Sequence, residues 1–224
     1  MRLVEKYRPK TFDDIAGQEN AVARLKRLIE KGIGGRALLF EGPSGAGKTS
    51  LAYVVGRSLG IVKDGETLES LMEGHNLDVR FYRANEMTQR EVEELHTWIR
   101  FWPLGEMKMV IIDEAQTMTG GAQSGLLSLL ETLPETTVFL LTTTEAALQE
   151  DLFGNATPFG SRCKRIAFEA PSREAIAQRL AFIAWSETGD GAALPYAEIV
   201  RQGKGNLRKC IDLLEDALLD APET

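Results

Sequence analysis

The 224-residue chain is 43% apolar and 26% charged, and its longest unbroken apolar run, residues 180–185, falls well short of the roughly 18 residues a membrane span needs. Two scattered cysteines (Cys163, Cys210) and two scattered histidines (His75, His96) argue against a disulfide scaffold or a metal-ligand cluster. The charged opening lacks the apolar run of a secretory signal, so a reducing, cytoplasmic setting with no membrane partner is expected. A net charge of −7 excludes coating of nucleic acid by bulk charge, although residues 1–36, with nine basic and five acidic side chains, leave room for a local contact.

In chain order, residues 19–31 read as an amphipathic helix, with Ala21, Val22, Leu25, Leu28 and Ile29 at helical spacing. Residues 37–40, 109–112 and 138–141 are short apolar runs without polar alternation, the pattern of strands covered on both faces of a parallel sheet. Residues 79–82 form a weaker fourth candidate. Helical patterns at 49–59, 88–101 and 122–133 separate them, which predicts a doubly wound α/β domain. At Ala170-Pro171-Ser172 the pattern changes to helices only, at 172–187, 196–202 and 206–219, with Ser172 as a plausible N-cap and Gly189, Gly191, Gly203 and Gly205 at the turns. The expected organisation is an α/β domain over 1–170 and a small all-helical domain over 171–224. The second is too short to be stable without packing on the first.

Gly42-Pro43-Ser44-Gly45-Ala46-Gly47-Lys48-Thr49 fits the phosphate-loop pattern G-x-x-x-x-G-K-[ST], and it lies between an expected strand and an expected helix. Glycines let backbone N–H groups turn toward phosphates, and the helix N-terminus adds its positive dipole end. Lys48 is expected on the β- and γ-phosphates and the Thr49 hydroxyl on Mg²⁺, with Ser50 next along the helix. The run 109–112 ends in Asp113-Glu114. Unpaired carboxylates are costly to bury, so both are expected at the open strand end. There Asp113 would hold Mg²⁺ and Glu114 would act as general base on the attacking water.

These motifs resemble the AAA+ ATPases and, within them, the clamp-loader subunits: a P-loop domain with a parallel sheet followed by a helical lid. The opening Val4-Glu-Lys-Tyr7-Arg8-Pro9-Lys-Thr-Phe12-Asp-Asp-Ile15-Ala-Gly17-Gln18 is similar to the start of replication factor C small subunits and bacterial gamma/tau subunits. The resemblance implies that Tyr7, Arg8, Pro9 and Ile15 border adenine. It also implies that Leu141-Thr-Thr143-Thr144-Glu145 is the sensor-1 segment, with Thr144 the better aligned hydroxyl and Thr143 one step away. Ser161-Arg162-Cys163 would carry an arginine finger for a neighbouring subunit's nucleotide. Gly205-Asn206-Leu207-Arg208-Lys209 would be the sensor-2 helix start, placing Leu207 and Arg208 on the nucleotide in cis.

There are departures from the family pattern. Residues 60–77 contain no cysteine, so the zinc module of the gamma/tau subunits is not implied. The spacer 146–160 is long for the family. The chain stops where the lid ends, before the collar domain that holds clamp-loader pentamers together; the chain is either cut there or served by a partner's collar. What the resemblance implies is an ATP- and Mg²⁺-dependent motor subunit. It would work with other clamp-loader subunits, a sliding clamp and primed DNA, at a cytoplasmic or nuclear replication site. The alternative is an AAA+ remodelling or regulatory ATPase acting on another protein or a DNA junction. A non-hydrolysing structural subunit is disfavoured by the presence of both Glu114 and Arg162. Arg90 and Gln89 are weak candidates for DNA contact. Trp98, Phe101 and Trp102 fall at i, i+3 and i+4 just before the acidic strand, in the region that faces the clamp in this family. Trp102 is the ring expected to be exposed.

Overall fold

The computed structural model describes residues 1–144, 158–189 and 194–220. Among these, five parallel strands form one sheet: β1 (Arg36–Glu41), β2 (Val79–Arg83), β3 (Lys108–Asp113), β4 (Thr137–Thr143) and β5 (Cys163–Ala167), in the order β2-β3-β4-β1-β5. Residues 109–112 and 138–141 are fully buried, which is why they show no polar alternation. Successive side chains of a strand point to opposite faces. Accordingly Leu38, Phe40, Met109, Ile111, Val138 and Leu140 enter one core, while Ala37, Leu39, Val110, Ile112, Phe139 and Leu141 enter the other. The first core is closed by helices α2 (Glu19–Glu30) and α3 (Lys48–Ser58), the second by α5 (Gln89–Trp98) and α6 (Gly120–Leu130). Every expected strand is present.

The structure also corrects the sequence reading. A fifth strand, which the sequence did not suggest, begins within Ser161-Arg162-Cys163. Residues Pro158–Arg162 form a short helix, α7, and Cys163 opens β5, which pairs with β1. β5 is an edge strand in which Lys164 and Ala167 are exposed and Lys164 and Arg165 are basic, so it carries no continuous apolar run. Two short helices also lacked a periodic signal, α1 (Leu3–Lys6) and α4 (Leu68–Met72). Helix α5 ends at Trp98 rather than at 101, so the aromatic trio does not share one helical face: Trp98 is half-buried while Phe101 and Trp102 stand in the following loop. Glu145, Gly191 and most of the 146–160 spacer lie outside the described residues.

The third core belongs to the helices after residue 170: α8 (Arg173–Thr188), capped by the Ser172 hydroxyl, α9 (Tyr196–Gln202) and α10 (Leu207–Leu219), capped by Asn206. It also takes in Leu3 from the chain's start. Arg2 is paired with Asp212 at 2.7 Å, and the Leu3 N–H donates to Glu215 Oε1 at 3.1 Å, so α1 is fastened to α10. Among the described residues no helix is long and apolar enough to cross a membrane.

The loop between α5 and β3 is held from beneath. Buried Lys108 donates through Nζ to the carbonyls of Trp98 (2.6 Å) and Phe101 (2.7 Å), and buried Asp78 accepts the N–H groups of Leu104 (2.8 Å) and Gly105 (2.7 Å). Its tip exposes Phe101, Leu104 and Trp102, the last 86% accessible.

Candidate active site

Residues 42–47 leave the end of the interior strand β1 and run into α3. Gly47, with φ +91°, is the N-cap of α3, a conformation that residues with a Cβ rarely adopt. At Gly45 a Cβ would stand 2.4 Å from the Asn206 side chain, whose Nδ2 donates to the Ser44 carbonyl at 3.2 Å. Lys48 folds back into the loop: Nζ donates to the carbonyls of Gly42 and Pro43, each at 2.8 Å.

Asp113 and Glu114 stand at the open end of β3. Asp113 Oδ1 accepts from Thr49 Oγ1 at 2.8 Å and from Thr142 Oγ1 at 2.6 Å. The Glu114 N–H donates to Thr142 Oγ1 at 3.0 Å, and Glu114 adopts left-handed backbone angles, φ 55° and ψ 47°. One cleft brings together Ser44, Gly45, Gly47, Lys48, Thr49, Ser50, Asp113, Glu114, Thr142, Thr143, Thr144 and Arg208. Thr143 Oγ1 is buried without a hydrogen-bond partner, and Thr144 follows the end of β4.

An adjoining open cleft is lined by Tyr7, Arg8, Pro9, Ile15, Gly45, Ala46, Gly47, Ser50, Leu207 and Arg208, together with Val4, Asp14, Ala16, Arg179 and Ile211. The two clefts share Gly45, Gly47, Ser50 and Arg208, so they form one groove, more apolar at one end and rich in hydroxyls and charge at the other. Arg8 is paired with Glu69 at 2.7 Å. Arg208, the second residue of α10, borders both clefts, and its side chain makes no hydrogen bond or ion pair among the described residues.

Arg162 stands apart from this groove. Its guanidinium is paired with Glu131 at the C-terminal end of α6, through Nε at 3.1 Å and more closely through a terminal nitrogen. Arg90 and Gln89 bond to Glu94 and Glu93 on their own helix, which leaves them weak anchors for a phosphate backbone.

Two groove residues, Thr142 and Arg179, and a neighbour of the phosphate loop, Asn206, escaped the sequence reading. Thr142 could have been suspected only as part of a three-threonine strand end. Arg179 donates to the Tyr7 carbonyl at 2.8 Å, and burial lowers its pKa, with Asp14 opposing the shift. Asn206 was read as part of the helix start but not as the link to Ser44.

The Thr49 hydroxyl and Asp113 carboxylate offer hard oxygen atoms at one point beside the phosphate loop. That is the donor chemistry Mg²⁺ takes when phosphates and water complete its shell, so the residues present fit this ion. Among the described residues no group of three or more His, Cys, Asp or Glu is placed to hold a metal alone.

A parallel sheet in this order, with a phosphate loop after its interior strand and helices following, defines the class: a P-loop ATPase fold of the AAA+ type. A mutant form of RuvB from Thermotoga maritima superposes with a TM-score of 0.69 at 19% identity, over 96% of this chain and 68% of that one. The RuvB Holliday junction branch migration motor of Thermotoga maritima gives 0.66 at 20% identity, over 93% and 64%. The model of the family "DNA polymerase III, delta subunit" matches residues 17–172. Replication factor C small subunit 1 of Pyrobaculum aerophilum is 34% identical over 95% of this chain and 60% of its own length. The replication factor C small subunit of Methanothermobacter thermautotrophicus is 32% identical over 96% and 62%. The chain belongs to the DNA polymerase III delta-subunit family, within the clamp-loader AAA+ ATPases. It spans about six-tenths of the length of these curated relatives.

Proposed function

We propose that the chain is an ATP-hydrolysing motor subunit of a DNA sliding-clamp loader, acting with other loader subunits where DNA is replicated. The observation that carries the nucleotide reading is the continuity of the groove. Tyr7, Pro9, Ile15 and Leu207 offer an apolar seat for a base at one end, and the phosphate loop with Asp113 and Glu114 occupies the other. Family membership carries the clamp-loader part.

In this reading Lys48 exchanges its two carbonyl partners for phosphate oxygens, and the loop N–H groups and the α3 N-terminus hold the rest of the negative charge. Thr49 and Asp113 hold Mg²⁺, which when bound neutralises charge on the phosphates. Glu114 polarises the attacking water, Thr144 orients it, and Arg208 contacts the γ-phosphate from the same chain. Arg162 leaves Glu131 to reach the nucleotide of a neighbouring subunit. The two units 1–170 and 171–224 meet across the nucleotide, so binding is felt by both.

The test is phosphate release by the complete protein with its partner subunits, alone and with a sliding clamp plus primed DNA. Stimulation by the two together is expected. Turnover that is indifferent to clamp and primed DNA favours the remodelling reading instead.

A further inference from the structure

Thr142 stands between the two acidic residues at the end of β3, one step beyond the Ile112–Leu141 pair of the β3–β4 ladder. Its Oγ1 lies 2.6 Å from Asp113 Oδ1 and 3.0 Å from the Glu114 nitrogen. A hydroxyl has one proton and two lone pairs, and an ionised carboxylate only accepts. The proton therefore goes to Asp113, and a lone pair receives the Glu114 N–H, so the network has a single polarity. Thr142 is 2% exposed, which limits competition from water.

Glu114 is one of two described non-glycine residues with positive φ, and such backbone angles persist where the surroundings fix them. Here they are fixed from both sides. Thr142 takes its N–H, and the Thr117 N–H and hydroxyl both donate to its carbonyl at 2.8 Å. The orientation of this peptide sets the direction in which the Glu114 side chain leaves the strand. The same Asp113 oxygen also accepts from Thr49, so Thr142 joins the metal-side carboxylate to the backbone of the water-side carboxylate.

We infer that Thr142 is a positioning residue for ATP hydrolysis: its hydroxyl locks Asp113 and the Glu114 turn into one arrangement. The inference rests on the hydrolytic reading above. Without the hydroxyl, Asp113 loses a donor and the Glu114 N–H loses its acceptor, while the phosphate loop keeps its own contacts.

The test compares Thr142→Val, which keeps the shape without the hydrogen bonds, with Thr142→Ser, which keeps the hydroxyl. Outer-sphere partners of metal ligands are worth about 10–100-fold, so Thr142→Val is expected to lower kcat by that factor, with KM rising no further than the Mg²⁺-linked affinity falls. Labelled ATP in EDTA should bind Thr142→Val as it binds wild type, whereas the gain in affinity on adding Mg²⁺ should shrink. Thr142→Ser should recover kcat to within about threefold. Wild-type kcat and Mg²⁺ response in Thr142→Val overturn the inference, as does a Thr142→Ser as impaired as Thr142→Val. Should Thr142→Val not fold, Thr142→Ser decides: about tenfold or more lost in kcat there counts against the hydroxyl, and near-wild-type kcat supports it. A wild type without turnover refutes the proposed hydrolysis, while the Mg²⁺-linked binding of Thr142→Val still decides the role of Thr142.

Discussion

Lys48 rests its Nζ on carbonyl oxygens of the phosphate loop itself, so a phosphate has only to replace partners already in place. Charge-assisted hydrogen bonds contribute about 1.5–3 kcal/mol each, and losing two predicts that Lys48→Ala weakens ATP binding by about 100-fold or more in a fluorescence titration. At Cys163 burial pushes the thiol up to about 12, and Arg162 only partly offsets this. The thiolate fraction at pH 8 is then about 10⁻⁴, so iodoacetamide should label the folded chain slowly and the unfolded chain fast, as mass spectrometry can show. The folded state keeps this proton where the unfolded state loses it. The associated stability is therefore present below about pH 9 and lost as pH climbs toward 12. Lys48, Thr49, Asp113 and Glu114 were legible in the sequence because contiguous motifs carry them. Thr142, Arg179 and Asn206 were not, because their groove partners lie 29, 172 and 162 positions away.

Elements with one dominant environment were the readable ones. Strands buried on both faces and helix α2, with its apolar stripe, announce themselves by pattern, and Ser172 and Asn206 mark helix starts by their capping chemistry. Edge strand β5 mixes basic and apolar residues, and helices of four or five residues are too short to show a period. The end of α5 was misplaced because Lys108, which follows in β3 rather than in the helix, takes the carbonyl of Trp98 at the helix end and that of Phe101 in the loop beyond it. That arrangement yields a paired prediction. Trp102→Ala should leave the melting temperature almost unchanged, since the ring is exposed, and should weaken binding to a sliding clamp in a pull-down or titration. Lys108→Ala should lower stability by about 2–3 kcal/mol in denaturant unfolding, because two carbonyls lose a buried ammonium. A sharp fall in melting temperature for Trp102→Ala would instead place that ring in the core.

For the whole molecule, the groove depends on parts distant in sequence. Tyr7 is tied to α8 through Arg179, α1 to α10 through Arg2 and Leu3, and Ser44 to Asn206. The Arg162–Glu131 pair lies away from this groove, so Arg162 is expected to serve a neighbouring subunit. Arg162→Ala should bind ATP normally and hydrolyse it slowly, and mixing it with Lys48→Ala in a verified mixed oligomer should restore part of the turnover. Arginine fingers supply about 10³–10⁵ in rate, so even partial rescue is measurable. The measurement that reaches the central claim most directly compares wild type with Glu114→Gln, following ATP binding and phosphate release on the same samples. The account predicts that Glu114→Gln binds ATP as wild type does and releases almost no phosphate. Equal phosphate release from the two proteins would contradict it, because the groove would then hydrolyse ATP without the carboxylate at its centre.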